Sequence, residues 1–266
     1  MKAANATQFS AVGAGPAQPV LRTENLMRRF GGLVATNDVT LSLMPGGRHA
    51  LIGPNGAGKT TFINLLTGVL RPTSGRIFLD GADITHLSPH RRVRRGLART
   101  FQINQLFAEL TPLEAVTLAI GEREDRGWDI WRTLAGHKKI VDEAAELLDR
   151  FRLADVMDTR TSALAYGRQR MLEIALALAT KPSVLLLDEP AAGVPEDERH
   201  DILDIVKALP ASVTVLLIEH DMDLVFSFAD SISVLVAGGL LTQGTVAEVS
   251  ADPRVRTAYL GEDADG

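Results

Sequence analysis

Nine residues, Gly53-Pro54-Asn55-Gly56-Ala57-Gly58-Lys59-Thr60-Thr61, constrain this chain more than any other segment. They match the pattern G-x-x-x-x-G-K-[ST] in full. The apolar run His49-Ala50-Leu51-Ile52 precedes them, and a helical pattern follows with Phe62, Leu65, Leu66 and Val69 on its apolar face. Strand, glycine-rich turn and helix in that order make a cradle for a chain of phosphates. The glycines let the backbone wrap closely and turn its N–H groups inward. The helix starting near Thr60 adds its positive end. Lys59 supplies a point charge for the β- and γ-phosphates, and the Thr60 hydroxyl can ligate Mg²⁺. The motif predicts binding of a nucleoside triphosphate and is silent on what the energy drives.

Val184-Leu185-Leu186-Leu187-Asp188-Glu189-Pro190 supplies the second half of such a site: four apolar strand residues ending in two carboxylates. Asp188 is expected to hold Mg²⁺, directly or through water. Glu189 is expected to orient and polarise an attacking water, because phosphoryl transfer depends on positioning and electrostatics more than on covalent chemistry. Two acids closing a strand also suit a solvent-facing loop; the phosphate loop upstream is what favours the metal-site reading.

The rest of the chain reads as an α/β fold. The segment 213–218 is a third short apolar run, and each of the three is followed by a loop and a helical pattern, as in parallel βα units. Segments 231–236 and 240–243 flank Ala237-Gly238-Gly239, a hairpin turn. Between about 98 and 180 strand signals fade. Ile140, Ala144, Leu147, Leu148 and Phe151 share one helix face, and 171–179 is a second helical run, so a helical subdomain is expected inside the α/β core. Folded structure is expected from Val20-Leu21, a short strand signal, to about Gly261. Residues 1–19 read as a flexible leader and 262–266 as a frayed acidic tail.

Bulk composition excludes several classes. With 28 Lys and Arg against 33 Asp and Glu the formal net charge is −5, which does not suit a dedicated nucleic-acid binder. The absence of cysteine excludes disulfides and thiolate metal sites and fits a reducing compartment. No apolar run approaches the roughly 20 residues that span a bilayer, and the leader lacks the apolar core of a secretory signal. The sequence thus predicts a soluble, cytoplasmic chain. Arg91, Arg92, Arg94, Arg95 and Arg99 read as a solvated helix face near the membrane rather than a nucleic-acid patch. Trp128 and Trp131, in an arm over 122–136, pack the helical subdomain or touch a membrane protein.

Further segments carry a family likeness. Leu164-Ala165-Tyr166-Gly167-Arg168-Gln169 lies between the two phosphate-site motifs, Arg99-Thr100-Phe101-Gln102 precedes it, Ile218-Glu219-His220-Asp221 follows, and Phe30 stands upstream. Singly, each has a plain reading: Gln102 as polar surface, His220 and Phe30 equally as core. In this order and spacing they resemble the ABC transporter ATPases over roughly residues 20–261. The resemblance implies a RecA-like phosphate-loop core, an antiparallel β subdomain and the inserted helical subdomain. It implies that Phe30 stacks on adenine, that Gln102 reaches Mg²⁺ or the attacking water, and that His220 bonds the γ-phosphate. It further implies that Ala165, Tyr166 and Gly167, at a helix beginning near Arg168, close over an ATP held by a second ATPase subunit.

Arg29-Phe30-Gly31-Gly32-Leu33, Leu172-Glu173-Ile174-Ala175, Glu189-Pro190-Ala191-Ala192-Gly193, Ile218-Glu219-His220-Asp221-Met222 and Ala258-Tyr259-Leu260-Gly261 are similar to the branched-chain amino-acid importer branch. Urea and amide importers and the lipopolysaccharide-export ATPase are relatives of that branch. The expected setting is peripheral, on the cytoplasmic face of the inner membrane, with a second ATPase subunit, two permease subunits and, indirectly, a periplasmic receptor. Two departures stand out: Ala165 and Arg168 replace the signature serine and glutamine, and Pro195 stands where an aspartate is usual. Non-transport ABC ATPases carry a second cassette, long coiled coils or zinc-binding cysteines, none of which this sequence has.

Overall fold

The computed structural model describes residues 18–100, 106–125 and 138–260. Residues 1–17 of the expected leader, the expected tail, Gln102, Trp128 and Trp131 lie outside the described residues. In chain order the elements are β1 (Leu21–Phe30), β2 (Leu33–Val39), β3 (Ser42–Leu43), β4 (Arg48–Ile52), α1 (Lys59–Thr67), β5 (Ser74–Leu79), β6 (Ala82–Asp83), α2 (Pro89–Arg94) and β7 (Leu97–Arg99). There follow α3 (Pro112–Arg123), α4 (Lys138–Arg150), α5 (Tyr166–Ala179), β8 (Val184–Asp188), α6 (Glu196–Lys207), β9 (Thr214–Ile218), α7 (Met222–Phe228), β10 (Ser231–Val236), β11 (Gly239–Thr245), α8 (Val246–Ala251) and α9 (Pro253–Leu260).

Two sheets form. One is antiparallel, ordered β2-β1-β5-β6 with β3 also on β1. The other is ordered β11-β10-β4-β9-β8-β7 and is parallel except for its β11 edge. The expected hairpin is the β10–β11 pair, whose turn residues Ala237 and Gly238 both take positive φ, 48° and 81°.

The unbroken apolar runs of β4, β8 and β9 follow from burial on both faces. Successive side chains point opposite ways, and every residue of the three strands is buried. Leu51, Leu186, Leu216 and Ile218 pack with Phe62 and Leu65 of α1 and with the antiparallel sheet. Ala50, Ile52, Leu185, Leu187, Val215 and Leu217 pack on the other side with helical residues such as Val116, Leu148, Leu172 and Val206. Covered sheets of this kind need no alternating pattern.

Between β7 and β8 the described chain is helical. Thr111 opens α3 with a reciprocal cap: its hydroxyl accepts from the Glu114 amide at 3.2 Å, and its own amide donates to Glu114 Oε2 at 2.9 Å. Ile140, Ala144, Leu148 and Phe151 are buried as their spacing predicts, and Leu147 packs against the same core partly buried. The helical stretch starts later than position 98, because Leu97–Arg99 pairs with β8 as the sheet's last strand.

Two expectations fail on packing. Val69 does not join the α1 face; the helix ends at Gly68 in a left-handed cap, and Val69 lies 55 % exposed beyond it. The arginine cluster is not one solvated face. Arg91, Arg94 and Arg95 are exposed, but Arg92 is fully buried. Its guanidinium donates to Leu65 O (2.7 Å), Leu66 O (2.6 Å), Thr85 O (2.8 Å) and Leu87 O (3.0 Å). The carbonyls at the end of α1 have no partner inside their own helix and carry its negative pole, so a cation seated there stabilises the helix that begins at the phosphate loop. Burial pushes the Arg92 guanidinium down to about 10, which leaves it charged at neutral pH. Arg92→Met removes a buried donor from four carbonyls, of which Leu65 O keeps the Gly68 amide, and is expected to cost roughly 3–5 kcal/mol of unfolding free energy. Chemical denaturation measures this, and a loss under 1 kcal/mol would contradict the role.

Near the start of β4, His49 is buried between two hydroxyls, Ser231 Oγ at 2.6 Å from Nδ1 and Ser233 Oγ at 2.8 Å from Nε2. Burial pushes the imidazole down from 6.5 to about 4. The unfolded chain therefore takes up a proton that the fold refuses between those values. Stability is complete above the unfolded pKa and declines as pH falls toward 4, by up to about 3 kcal/mol. Denaturation midpoints collected from pH 7.5 to 4.5 should fall more steeply for the parent than for His49→Asn. Parallel curves would assign the acid sensitivity to other groups.

Candidate nucleotide site

Parallel strands deliver the candidate residues to one edge. In β4, β9 and β8, Leu51 lies opposite Ile218 and Asp188 opposite the same Ile218. Gly53, the pair Asp188-Glu189 and the pair Glu219-His220 therefore all leave the sheet at its carboxyl edge, where open α/β sheets bind ligands.

Gly53, Pro54, Asn55, Gly56, Ala57 and Gly58 form the loop, and Lys59, Thr60 and Thr61 open α1, one residue earlier than expected. Gly58 has φ 97°, and a Cβ there would run into the Ala35 carbonyl oxygen, so only glycine fits. The Lys59 ammonium donates to the carbonyls of Gly53 and of Pro54, the latter at 3.0 Å. The stretch from Asn55 to Thr61, with Leu33, Ala35, Gly238 and Glu189, lines a cavity of about 470 Å³, a size ordinary for a small-molecule site. A larger cavity of about 670 Å³, between Glu143, Leu147, Arg150, Lys181 and Pro210, has no glycine-rich loop in its wall. Chemistry, not volume, distinguishes the two.

Phe30 is not core. It is 42 % exposed at the end of β1, paired across the turn with Leu33, with the Arg28 guanidinium 4.5 Å from its ring centre. Leu33, 67 % exposed and lining the cavity, was not singled out in the sequence; its place just after Phe30-Gly31-Gly32 was the available signal.

Asp188 is buried and Glu189 part-buried, the latter in a left-handed conformation at φ 46° that turns the chain as it leaves β8. His220 is not a core histidine, since its side chain is 68 % exposed; Nδ1 stands 3.8 Å from Glu189 Oε1 and 3.8 Å from Glu219 Oε2. Glu219, which the sequence did not single out, is 2 % exposed. Burial pushes its carboxyl above the usual range, against the Ala191 amide, which donates to Oε1 at 3.4 Å, and the charge of His220. Arg99 is the second arginine that leaves the supposed surface cluster. Its guanidinium donates to Asp188 Oδ2 at 2.7 Å and to Asn64 Oδ1 at 2.7 Å.

Ala165 is the N-cap of α5, so this helix begins at Tyr166, two residues before Arg168. Tyr166 donates its hydroxyl to Ala192 O at 3.2 Å. Gly167 meets α6 so closely that a Cβ would collide with the Glu198 carboxylate. Arg168 is held by Asp155 at 2.7 and 2.8 Å, while the Gln169 amide braces the preceding turn through Leu164 O at 3.0 Å.

For a divalent cation the donor set is partial. Among the described residues no group of three or more His, Cys, Asp or Glu could hold a metal alone. A threonine hydroxyl and one carboxylate suit a cation that arrives with phosphate oxygens, as Mg²⁺ does.

A parallel sheet that sends a glycine-rich loop and an acid pair to one edge places the chain among the phosphate-loop nucleoside-triphosphate-binding proteins. Residues 36–192 match the family described as ABC transporter, and residues 240–265 match the family described as branched-chain amino acid ATP-binding cassette transporter. The high-affinity branched-chain amino acid transport ATP-binding proteins BraF of Pseudomonas aeruginosa and LivG of Escherichia coli are each 41 % identical over 252 residues, covering 92 % of this chain and 99 % of theirs. A crystal structure titled as the ADP conformation of an ATP-binding cassette of an ABC transporter superposes with a TM-score of 0.80 at 34 % identity, covering 92 % of this chain and 99 % of that one. The chain belongs to the ABC transporter ATPase family.

Proposed function

We propose that the chain is the ATP-hydrolysing subunit of an importer for branched-chain amino acids. The observation that carries the reading is the convergence of the phosphate loop, Asp188-Glu189 and His220 at one strand edge, with His220 Nδ1 3.8 Å from Glu189. The match over residues 240–265 and the 41 % identical relatives favour branched-chain amino acids over urea, amides or lipopolysaccharide.

In this reading Phe30, with Leu33, receives the adenine, and the loop from Gly53 to Gly58 surrounds the phosphates with the Lys59 charge at their end. Thr60 and Asp188, aided by Gln102, hold Mg²⁺, which when bound offsets charge on the phosphate oxygens. Glu189 orients and polarises the attacking water, and His220 bonds the γ-phosphate from the neighbouring strand end. Lys59→Ala is expected to weaken ATP binding about 10- to 100-fold. Glu189→Gln keeps binding but loses about 10²- to 10⁴-fold in hydrolysis, leaving an ATP-bound dimer. Equilibrium binding, phosphate release and gel filtration separate the two; near-normal turnover of Glu189→Gln would overturn the assignment.

Among the described residues no helix is long and apolar enough to cross a membrane, so transport requires two permease subunits, on whose cytoplasmic face the chain sits; a periplasmic receptor acts through them. The segment Ala165-Tyr166-Gly167 closes over an ATP on a second ATPase subunit. Ala165 has no hydroxyl to offer it, and Arg168 is engaged by Asp155 of its own chain. A partner with a full signature would complete the site at Lys59 better than a second copy of this chain, so we expect a heterodimer in which the ATP held by Lys59 turns over faster. Inactivating Glu189 and the partner's equivalent glutamate one at a time, in the assembled transporter, reads the asymmetry. Equal losses, or full coupled activity from this chain as a homodimer, would count against it.

A further inference from the structure

The reading above gives Asp188 a metal to hold, yet in this structure one of its oxygens already has a cation. Arg99 ends β7, and its guanidinium spans two other elements: one arm donates to Asn64 on α1 and the other to Asp188 Oδ2 at the end of β8, both at 2.7 Å. The Arg99 and Asp188 side chains are only 10 % and 6 % exposed. Asn64 and Asp188 hold the guanidinium, and pairing with β8 holds the backbone that carries it. The β7–β8 ladder sets Arg99 opposite Leu186, and the Thr100 amide donates to Leu186 O at 3.0 Å. Asn64 lies one helical turn after Thr60 and so on the same face of α1. The guanidinium therefore stands beside the space between Thr60 and Asp188. A fixed planar fork cannot withdraw from one partner without disturbing the other, and away from solvent neighbouring charges are weakly screened.

We propose that Arg99 is the resident counter-cation of the metal-site carboxylate, a positioning residue that sets how much Mg²⁺ the nucleotide site requires. By holding Oδ2 it leaves Oδ1 as the free face of Asp188. By balancing the charge of Asp188 it opposes a second cation there. Metal-free nucleotide binding, which depends on the loop and on Lys59, does not draw on this pair. The idea rests on Asp188 as the metal-site acid, and the two claims can fail separately.

The test uses the full chain and a fluorescent ATP analogue, with Mg²⁺ titrated in chelator-buffered solution and Mn²⁺ substituted to read bound metal by electron paramagnetic resonance. Arg99→Gln keeps a donor but no charge. It should lower the half-saturating Mg²⁺ concentration about 3- to 30-fold, with metal-free affinity within about twofold. Arg99→Lys, which restores the charge, should return the titration close to the parent's. Arg99→Met is the second neutral variant, should the first not melt cooperatively. An unchanged or higher Mg²⁺ requirement in a folded neutral variant overturns the counter-cation role. Asp188→Asn distinguishes the underlying reading. If it leaves the Mg²⁺ dependence unaltered, Asp188 is not the metal-site acid; if it shifts that dependence while Arg99→Gln does not, only the Arg99 proposal falls.

Discussion

The Gly238 backbone joins the two sheets at the phosphate loop. Its amide donates to Ala57 O at 3.0 Å, inside the loop, and its carbonyl accepts from the Asn37 amide at 2.7 Å, on β2 of the antiparallel sheet. Ala35, on the same strand, closes against Gly58. Within the loop, Pro54 O accepts from the Ala57 amide and from Lys59, and the hairpin turn between β10 and β11 supplies the partner of Ala57 O. The antiparallel sheet is therefore not an appendage. It forms one wall of the cavity, and a shift of β2 or of the hairpin would move the phosphate loop with it.

Buried cations organise the other side of α1. Arg92 sits on the carbonyls where that helix ends, and Arg99 reaches the Asn64 side chain. The two differ in what balances them. Arg92 is compensated by four backbone dipoles and, among the described residues, by no carboxylate within hydrogen-bond reach, whereas Arg99 meets the carboxylate of Asp188. The first arrangement is structural, since no chemistry converges on the end of α1. The second lies at the edge where the site is built, so the same residue type performs two jobs seven positions apart.

What the sequence made legible, and what it did not, divides along the same line. The three core strands, the hairpin and the α4 stripe are local patterns: a run of Val, Leu and Ile, a turn bearing glycine, a 3.6-residue period. So was the phosphate loop, whose glycines answer to the backbone's own geometry. Arg92 and Arg99 were misread because nothing near them in sequence marks them as different from Arg91, Arg94 and Arg95. Half of the Arg92 acceptors lie on α1, and those of Arg99 on α1 and β8, and a helix as short as α2 has too few turns to display a face. Glu219 was passed over for a related reason: its neighbour His220 carried the family likeness, while the amide that meets its buried carboxylate belongs to Ala191, after another strand. Val69 failed on a single residue, because the cap at Gly68 ends the period one position too soon.

The proposed dimer contact would reach the chemistry through the segment after Glu189. Tyr166, at the front of α5, holds Ala192 by its hydroxyl, and Ala192 in turn donates its amide to Glu189 O at 3.1 Å. Arg199 on α6 holds Val194 O at 2.9 Å and stands 3.8 Å from Asp221, the residue after His220. The Ala191 amide meets the buried Glu219 carboxylate. The segment from Ala191 to Pro195 is thus tied on one side to the signature helix and on the other to both strand ends that carry Glu189 and His220. Pro195 belongs in this scheme: it ends the segment and caps α6, fixing φ where an aspartate would leave the backbone freer. A partner pressing on Tyr166 would then act on a short, stiff segment whose far end is the backbone of Glu189, itself held at φ 46°. A strained conformation persists only while its surroundings enforce it. In the proposed dimer a contact at the front of α5 would therefore reach the turn at Glu189 through Tyr166 and Ala192.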